Sequence, residues 1–211
     1  MLRRIPHTAM EVITGKQTAE EYLAMQQKLG KFYLKGFLAI LEDQKKTGDF
    51  LEIGCGLGYQ TAQVAKQNKH SRIQALEPSS DMIAIAKAFL ENQGLRDRVQ
   101  FTEGSVEEER LVRSLGKFDL VYSTFSLHHW KDPVKAIANL HGALKPEGVC
   151  LLYDFQRHWL TYSLPVGRKG ISESIKASYT LQEIASMINA SKVENYRIER
   201  HFPYLCVVIK K

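Results

Sequence analysis

Three glycines at alternate positions interrupt the run Leu51-Glu52-Ile53-Gly54-Cys55-Gly56-Leu57-Gly58-Tyr59. A turn without side-chain bulk lets a ligand press against the main chain. A helix starting directly behind it offers unsatisfied N–H groups. An acid, Glu77, follows 23 residues after Gly54. A carboxylate so placed can accept hydrogen bonds from both hydroxyls of a ribose, and it matches a cationic ligand electrostatically. The dinucleotide fingerprint G-x-G-x-x-G requires its third glycine one residue later, where Tyr59 stands. A nicotinamide cofactor, and with it an oxidoreductase, is therefore disfavoured.

Such a loop needs a strand to deliver it and a helix to carry it away. The short apolar run 49–53 reads as that strand and 59–68 as the helix. The alternation continues with a strand at 72–77, a helix at 80–92 stopped by Gly94, a strand at 99–103, a helix at 106–115 ended by Gly116, and a strand at 118–123. Asp132-Pro133 starts the next helix, with Asp as N-cap and Pro at the first helical position, and it runs to about Leu144. After the turn Lys145-Pro146-Glu147-Gly148 comes a fifth strand at 149–154, and residues 156–177 read as irregular. Thr180 with Glu183 forms a capping box for a helix to about Ala190. Runs 193–200 and 204–210 are strands joined so tightly that they must be antiparallel.

Strands that are apolar almost throughout, alternating with helices, imply a parallel sheet covered on both faces. The expected class is α/β, a Rossmann-like, doubly wound, mostly parallel seven-stranded sheet with one antiparallel strand near the edge. Upstream, Tyr22, Met25, Leu29, Phe32, Tyr33, Phe37, Ile40 and Leu41 follow helical spacing. Thr18 and Glu21 make a capping-box start, and Gly30 and Gly36 divide the helix. Residues 1–46 are expected to form a helical cap segment and residues 47–211 a single domain.

Together these residues resemble the class I S-adenosylmethionine (SAM)-dependent methyltransferases of the small-molecule type. Glu52-x-Gly54-x-Gly56-x-Gly58 is similar to that family's first motif. Leu76-Glu77-Pro78-Ser79 with Met82 is similar to its second, and Glu103-Gly104-Ser105-Val106 to its adenine-edge motif. Phe118-Asp119-Leu120-Val121-Tyr122-Ser123, then Leu127-His128-His129-Trp130 and Asp132-Pro133, resemble its fourth-strand signature. Leu144-Lys145-Pro146-Glu147-Gly148 resembles the turn into the fifth strand.

The resemblance implies an enzyme with SAM as cofactor and S-adenosylhomocysteine as product. Glu52 belongs to the loop motif, and Gly54, Cys55 and Gly56 would cradle the methionine portion with backbone groups. Glu77 would hold the ribose, Pro78 and Met82 would pack on adenine, and Ser105 and Val106 would meet its edge. Many relatives have Asp where this chain has Ser105. Ser123, Thr124 and Phe125 would lie beside the sulfonium.

Methyl transfer asks the protein chiefly to place an acceptor lone pair near the methyl carbon, with a general base where the acceptor is protonated. His128 and His129 follow the fourth strand and are the candidate bases, in a signature where histidine also serves structure. Asp154 and Tyr153 are weaker candidates. His158, Trp159 and Tyr162, with Tyr22 and Tyr33 upstream, are candidate substrate-wall residues.

Composition bounds the reading. The chain has 211 residues, 44% apolar and 25% charged, enough for one substantial core. No apolar run reaches the roughly 18 residues of a membrane span, and no apolar segment follows Arg3 and Arg4 as in a secretory signal. Cys55, Cys150 and Cys206 lack metal-ligand or disulfide spacing, so buried thiols, no metal and a reducing cytoplasm are expected. The net charge of +6 sits at the ends: residues 47–156 hold 12 Lys/Arg against 14 Asp/Glu, residues 1–46 hold 8 against 5, and residues 157–211 hold 9 against 4. No compact basic cluster accompanies it, so a solvated basic surface is favoured over a nucleic-acid partner. The resemblance implies a small-molecule acceptor, with an RNA or protein methyltransferase, or a SAM-binding protein without catalysis, as the alternatives.

Overall fold

A computed structural model of the chain describes residues 3–6, 23, 24, 26–28, 30, 32–163 and 169–211. Seven strands form one sheet: β1 (Asp49–Ile53), β2 (Arg72–Glu77), β3 (Val99–Glu103), β4 (Phe118–Thr124), β5 (Leu144–Phe155), β6 (Tyr196–His201) and β7 (Tyr204–Lys210). Their order is β3-β2-β1-β4-β5-β7-β6. The strands from β3 through β5 pair in parallel, and β7 runs antiparallel to both β5 and β6. The expected sheet, with its single reversed strand next to an edge, is the one observed.

The helices are α1 (Lys35–Asp43), α2 (Tyr59–Gln67), α3 (Ser80–Asn92), α4 (Glu109–Ser114), α5 (Pro133–Gly142), α6 (Trp159–Ser163), α7 (Lys169–Ala177) and α8 (Leu181–Ala190). Two apolar cores lie on opposite faces of the sheet. One joins α1, α2 and α3 to alternate strand positions such as Phe50, Leu120 and Leu151. The other joins α4, α5 and α8 to the intervening positions such as Leu51, Val121 and Leu152. This is the period-two logic of a strand buried on both sides. The caps read from sequence are present: Asp132 accepts from the Lys135 N–H, and Thr180 with Glu183 forms the full capping box. All three cysteines are free and buried.

Several boundaries differ from the sequence reading. The helix expected from Val106 begins at Glu109, because Ser105 and Glu108 first form a turn through the Ser105 N–H and the Glu108 carboxylate. The fifth strand starts at Leu144, where a chain turn was expected. Leu144 pairs with Phe118 and Val149 with Leu120, so residues 145–148 bulge out of one continuous strand. Lys145 anchors that bulge by reaching Asp49 and Asp119 across the bottom of the sheet. The last pair begins at Tyr196, not Val193. Residues 159–163 and 169–177, expected to be irregular, are helical. The N-terminal helix breaks at Leu34, between Gly30 and Gly36. Gly30 has a further role: a Cβ there would fall 2.1 Å from the Tyr59 ring. The capping box at Thr18 and the residues Tyr22, Met25 and Leu29 lie outside the described residues.

Arg98 ties the first two crossovers together. Its guanidinium donates to the carbonyls of Ala65, Asn68 and Ser71, at the end of α2 and in the turn into β2. Arg98→Met leaves three carbonyls without that donor. It should lower the unfolding free energy in urea by about 2–3 kcal/mol, in the range for hydrogen bonds to a charged group.

Candidate functional site

The chain order places a crevice. From β1 the sheet grows outward through β2 to β3, then the chain returns to lay β4 on the other side of β1. Loops leaving β1 and β4 must diverge there, which opens the ligand site of doubly wound sheets. Ile53 is paired with both Leu76 and Ser123. The glycine loop therefore leaves the sheet between the ends of β2 and β4.

Each loop glycine answers a different demand. Gly54 has φ +73°, and a Cβ there would lie 2.5 Å from Ser126 Oγ, so the loop after β4 closes onto it. Gly56 has φ +52°, and among the described residues nothing lies within 4 Å of a Cβ position, so its open side faces the crevice. At Gly58 the demand is packing: a Cβ would stand 3.1 Å from the Ala86 Cβ, where α2 crosses α3. Gly58 caps α2 without a side-chain acceptor. Tyr59 turns its ring toward Gly30 and is buried, so it does not enter the crevice.

Glu77 joins the two crossovers. Its Oε2 accepts the Gly56 N–H at 3.0 Å and its Oε1 accepts the Ser79 N–H at 3.2 Å. It is 4% exposed. Burial raises its pKa above the ordinary carboxylate value, and the two N–H groups pull it partly back.

Beneath the loop lies a polar cluster that the sequence did not reveal. Glu52 is fully buried, and the hydroxyls of Thr61 and Tyr122 face its carboxyl. Among the described residues Glu52 Oε2, Thr61 Oγ1 and Tyr122 OH find no aligned hydrogen bond. Burial pushes the Glu52 carboxyl up to about 7, the facing hydroxyls lower it, and the Glu77 carboxylate raises it further. The only available signal was strand parity. Phe50 pairs with Leu120 and Glu52 with Tyr122, so the acid and the tyrosine share a face once β1 and β4 are neighbours.

Pro78 is exposed and Met82 half-buried at the start of α3. Ser105 Oγ accepts the Glu107 N–H, and Val106 is 4% exposed in the core. Ser123 and Thr124 are the last residues of β4 and are buried; among the described residues Ser123 Oγ has no hydrogen-bond partner. Phe125 follows with φ +55°, a conformation rare for a bulky residue, and is held by its N–H to the Tyr153 carbonyl at 2.8 Å. Its ring meets Tyr33, Tyr153, Phe155 and Tyr204 at centroid distances of 5.0–5.6 Å.

His128 is 2% exposed. Its Nδ1 lies 2.8 Å and 2.9 Å from the two Asp154 carboxylate oxygens, and its backbone N–H also donates to Asp154. Such a partner fixes Nδ1 as the donor nitrogen. The sequence reading had both residues but not their pairing. His129 is exposed, with its ring 4.2 Å from that of His128. His158 and Trp159 lie at the start of α6, and Tyr162 is half-buried within it. No cluster of three or more metal-ligating side chains occurs among the described residues. No described helix is long and apolar enough to cross a membrane.

Comparison with known proteins matches the same region. Residues 51–150 fit the family described as a methyltransferase domain. A malonyl-[acyl-carrier protein] O-methyltransferase of Ilyobacter polytropus is 26% identical over 190 residues, covering 87% of this chain and 66% of that protein. A trans-aconitate 2-methyltransferase of Deinococcus radiodurans is 32% identical over 112 residues, 53% of this chain and 40% of that one. A SAM-dependent methyltransferase from Aquifex aeolicus superposes with a TM-score of 0.69 at 15% identity, covering 91% of this chain and 97% of that structure. The chain spans from about a third to two-thirds of the length of the first curated relatives it matches.

The Glu52 carboxyl makes stability depend on pH. Between its ordinary value of 4.5 and its folded value of about 7, the folded chain holds a proton that the unfolded chain has lost. This group's contribution therefore falls as pH rises through that window and is level above it. Glu52→Gln removes the slope. The difference in unfolding free energy between variant and wild type should move in the variant's favour by about 3 kcal/mol from roughly pH 4 to roughly pH 8. Denaturant titrations at both pH values measure it, and parallel profiles for the two proteins would refute the assignment.

Proposed function

We propose that this chain, whose residues 51–150 match a methyltransferase domain, transfers a methyl group from SAM to a small-molecule acceptor, as a class I SAM-dependent methyltransferase. The observation that carries this reading is the pairing of Glu77 with the Gly56 N–H beside a loop face open to the crevice. The residues fit the cofactor. The bare main chain at Gly56 admits a close ligand, and the Glu77 carboxylate supplies acceptors suited to ribose hydroxyls in a nearly dry setting. In this reading Gly54, Cys55 and Gly56 hold the amino-acid portion with main-chain groups, and Glu77 holds the ribose. Pro78 and Met82 flank the adenine, whose edge meets Ser105 or the Val106 N–H. Glu52 acts from behind, as a buried acid under the loop.

When bound, SAM supplies an electrophilic methyl group on its own leaving group, so the protein's share is largely alignment. Ser123, Thr124 and Phe125 line the β4 side of the transfer point. Residues 1–46 are read as a cap segment whose Tyr33 packs on Phe125 at 5.4 Å. His128 can move a proton only through Nε2, since Nδ1 is committed to Asp154. His129 can do so from the surface. The relatives named above for malonyl and aconitate acceptors support a small-molecule substrate.

Calorimetry with SAM tests the cofactor assignment. Glu77→Ala should weaken binding by about 1–3 kcal/mol, the range for losing a hydrogen bond to a charged group. Gly56→Arg should abolish binding by filling the crevice. Unchanged affinity in both variants would remove the site. Turnover of methyl-labelled SAM against a cell extract, with mass analysis of the product, tests catalysis. Full turnover in both His128→Ala and His129→Ala would show that neither histidine is the base.

A further inference from the structure

The sheet ends in two open edges, β3 and β6. An open edge presents a row of main-chain N–H and C=O groups ready to pair with another strand, and folded proteins commonly guard it with charge. β3 is guarded in this way. Lys87 and Arg96 hold their cations 5.9 Å and 5.6 Å from the Phe101 ring centroid, so a second copy brought to that edge meets like charge. β6 is different. Among the described residues it pairs with β7 alone, and its charges are of both signs.

The side chains of β6 divide by face. Tyr196 and Ile198 pack against the core under α8, and the Tyr196 hydroxyl donates to Asn189 Oδ1 at 3.1 Å. The other face carries Arg197, Glu199 and His201. Arg197 Nε donates to Glu199 at 2.6 Å, and His201 Nε2 lies 3.3 Å from the same carboxylate. The Arg197 and Glu199 side chains keep 48% and 30% of their surface exposed.

Antiparallel pairing of β6 with β6 of a second copy, about a twofold axis, allows few registers. Residues directly opposite each other share a face, so the axis passes through a residue and not between two. An axis at Arg197 or Arg200 sets a guanidinium opposite itself. An axis at Glu199 sets that acid opposite itself and Arg197 opposite His201. An axis nearer either end pairs less of the strand. An axis at Ile198 is complementary throughout: Arg197 faces Glu199 of the second copy, Glu199 faces its Arg197, Tyr196 faces its Arg200, and the two isoleucines meet. Opposite charges directly across a strand pair stabilise it and like charges oppose it, while a guanidinium against tyrosine adds a cation–π contact. Each Glu199 then stands between two guanidiniums, one from either copy. Arrangements that read the same from both sides are what an isologous interface requires, and a foreign strand gives no reason for them.

We propose that β6 is a self-pairing edge, at which two copies of this chain join antiparallel about Ile198 into one continuous sheet, locked by reciprocal Arg197–Glu199 contacts. The glycine-loop crevice lies between β1 and β4, three strands inward from β6, so the pairing leaves it open in both copies and does not rest on the SAM reading. One strand pair is a small interface, and the dissociation constant should be on the order of tens of micromolar.

Sedimentation velocity of the full chain from about 5 µM to about 500 µM tests this. The mean mass of the wild type should rise across that range toward that of a dimer and no further. Arg197→Glu and Glu199→Arg, each alone, set like charges opposite each other at both positions and should weaken self-association at least about tenfold. Mixed in equal amounts, the two variants are complementary and should associate within about threefold of the wild type. A variant that had merely misfolded could not be rescued by that mixing. The double variant Arg197→Glu with Glu199→Arg inverts every pair and should regain the dimer. A wild type that stays monomeric throughout overturns the proposal. So do single variants that dimerise like the wild type, or a mixture that fails to associate.

Discussion

One carboxylate holds the glycine-loop end of this fold together. Glu77 leaves β2 buried, and it accepts one N–H from the glycine loop after β1 and another from the start of α3. Two crossovers that would otherwise end independently are thereby locked to each other. The hydrogen bonds are charge-assisted and nearly shielded from water, where such bonds are strongest. The cost is desolvation of the acid, visible in its raised pKa. An acid under that tension gains from further donors or a nearby positive charge.

The loop is built on a second buried acid. Glu52, Thr61 and Tyr122 place three polar groups under the glycines without full hydrogen-bond satisfaction. Buried polar atoms of this kind are uncommon, and they concentrate where structure serves function before stability. The opposite edge of the sheet shows the contrast. There Lys145 reaches Asp49 and Asp119 directly, and the charges are paired. One end of the sheet is fastened by paired charges, and the other carries buried polar atoms without an aligned hydrogen bond among the described residues.

The same division appears in the aromatic residues. Phe37, Tyr122 and Tyr153 fill the core against α1, with centroids 5.7 Å and 5.8 Å from Phe37. Phe125 continues that packing outward from the strand ends. Its positive φ is tolerated because the Tyr153 carbonyl and four neighbouring rings hold it. The chain thus turns a core motif into a surface one at the place where β4 ends.

The sequence alone determined the α/β class, the seven strands with one reversed, most helix starts and the loop with its acid partner. These are local matters: apolar periodicity, capping residues and glycines act over a few neighbouring positions. Only the tertiary structure decided that β5 runs on through residues 145–148 as a bulge, because the anchor is Lys145 bound to residues far away in the chain. It alone set His128 against Asp154, 26 positions later, and Tyr122 over Glu52, since both pairings need β4 seated between β1 and β5. Side chains on different strands meet through the order and register of the sheet, and that register is fixed by the burial of both faces together.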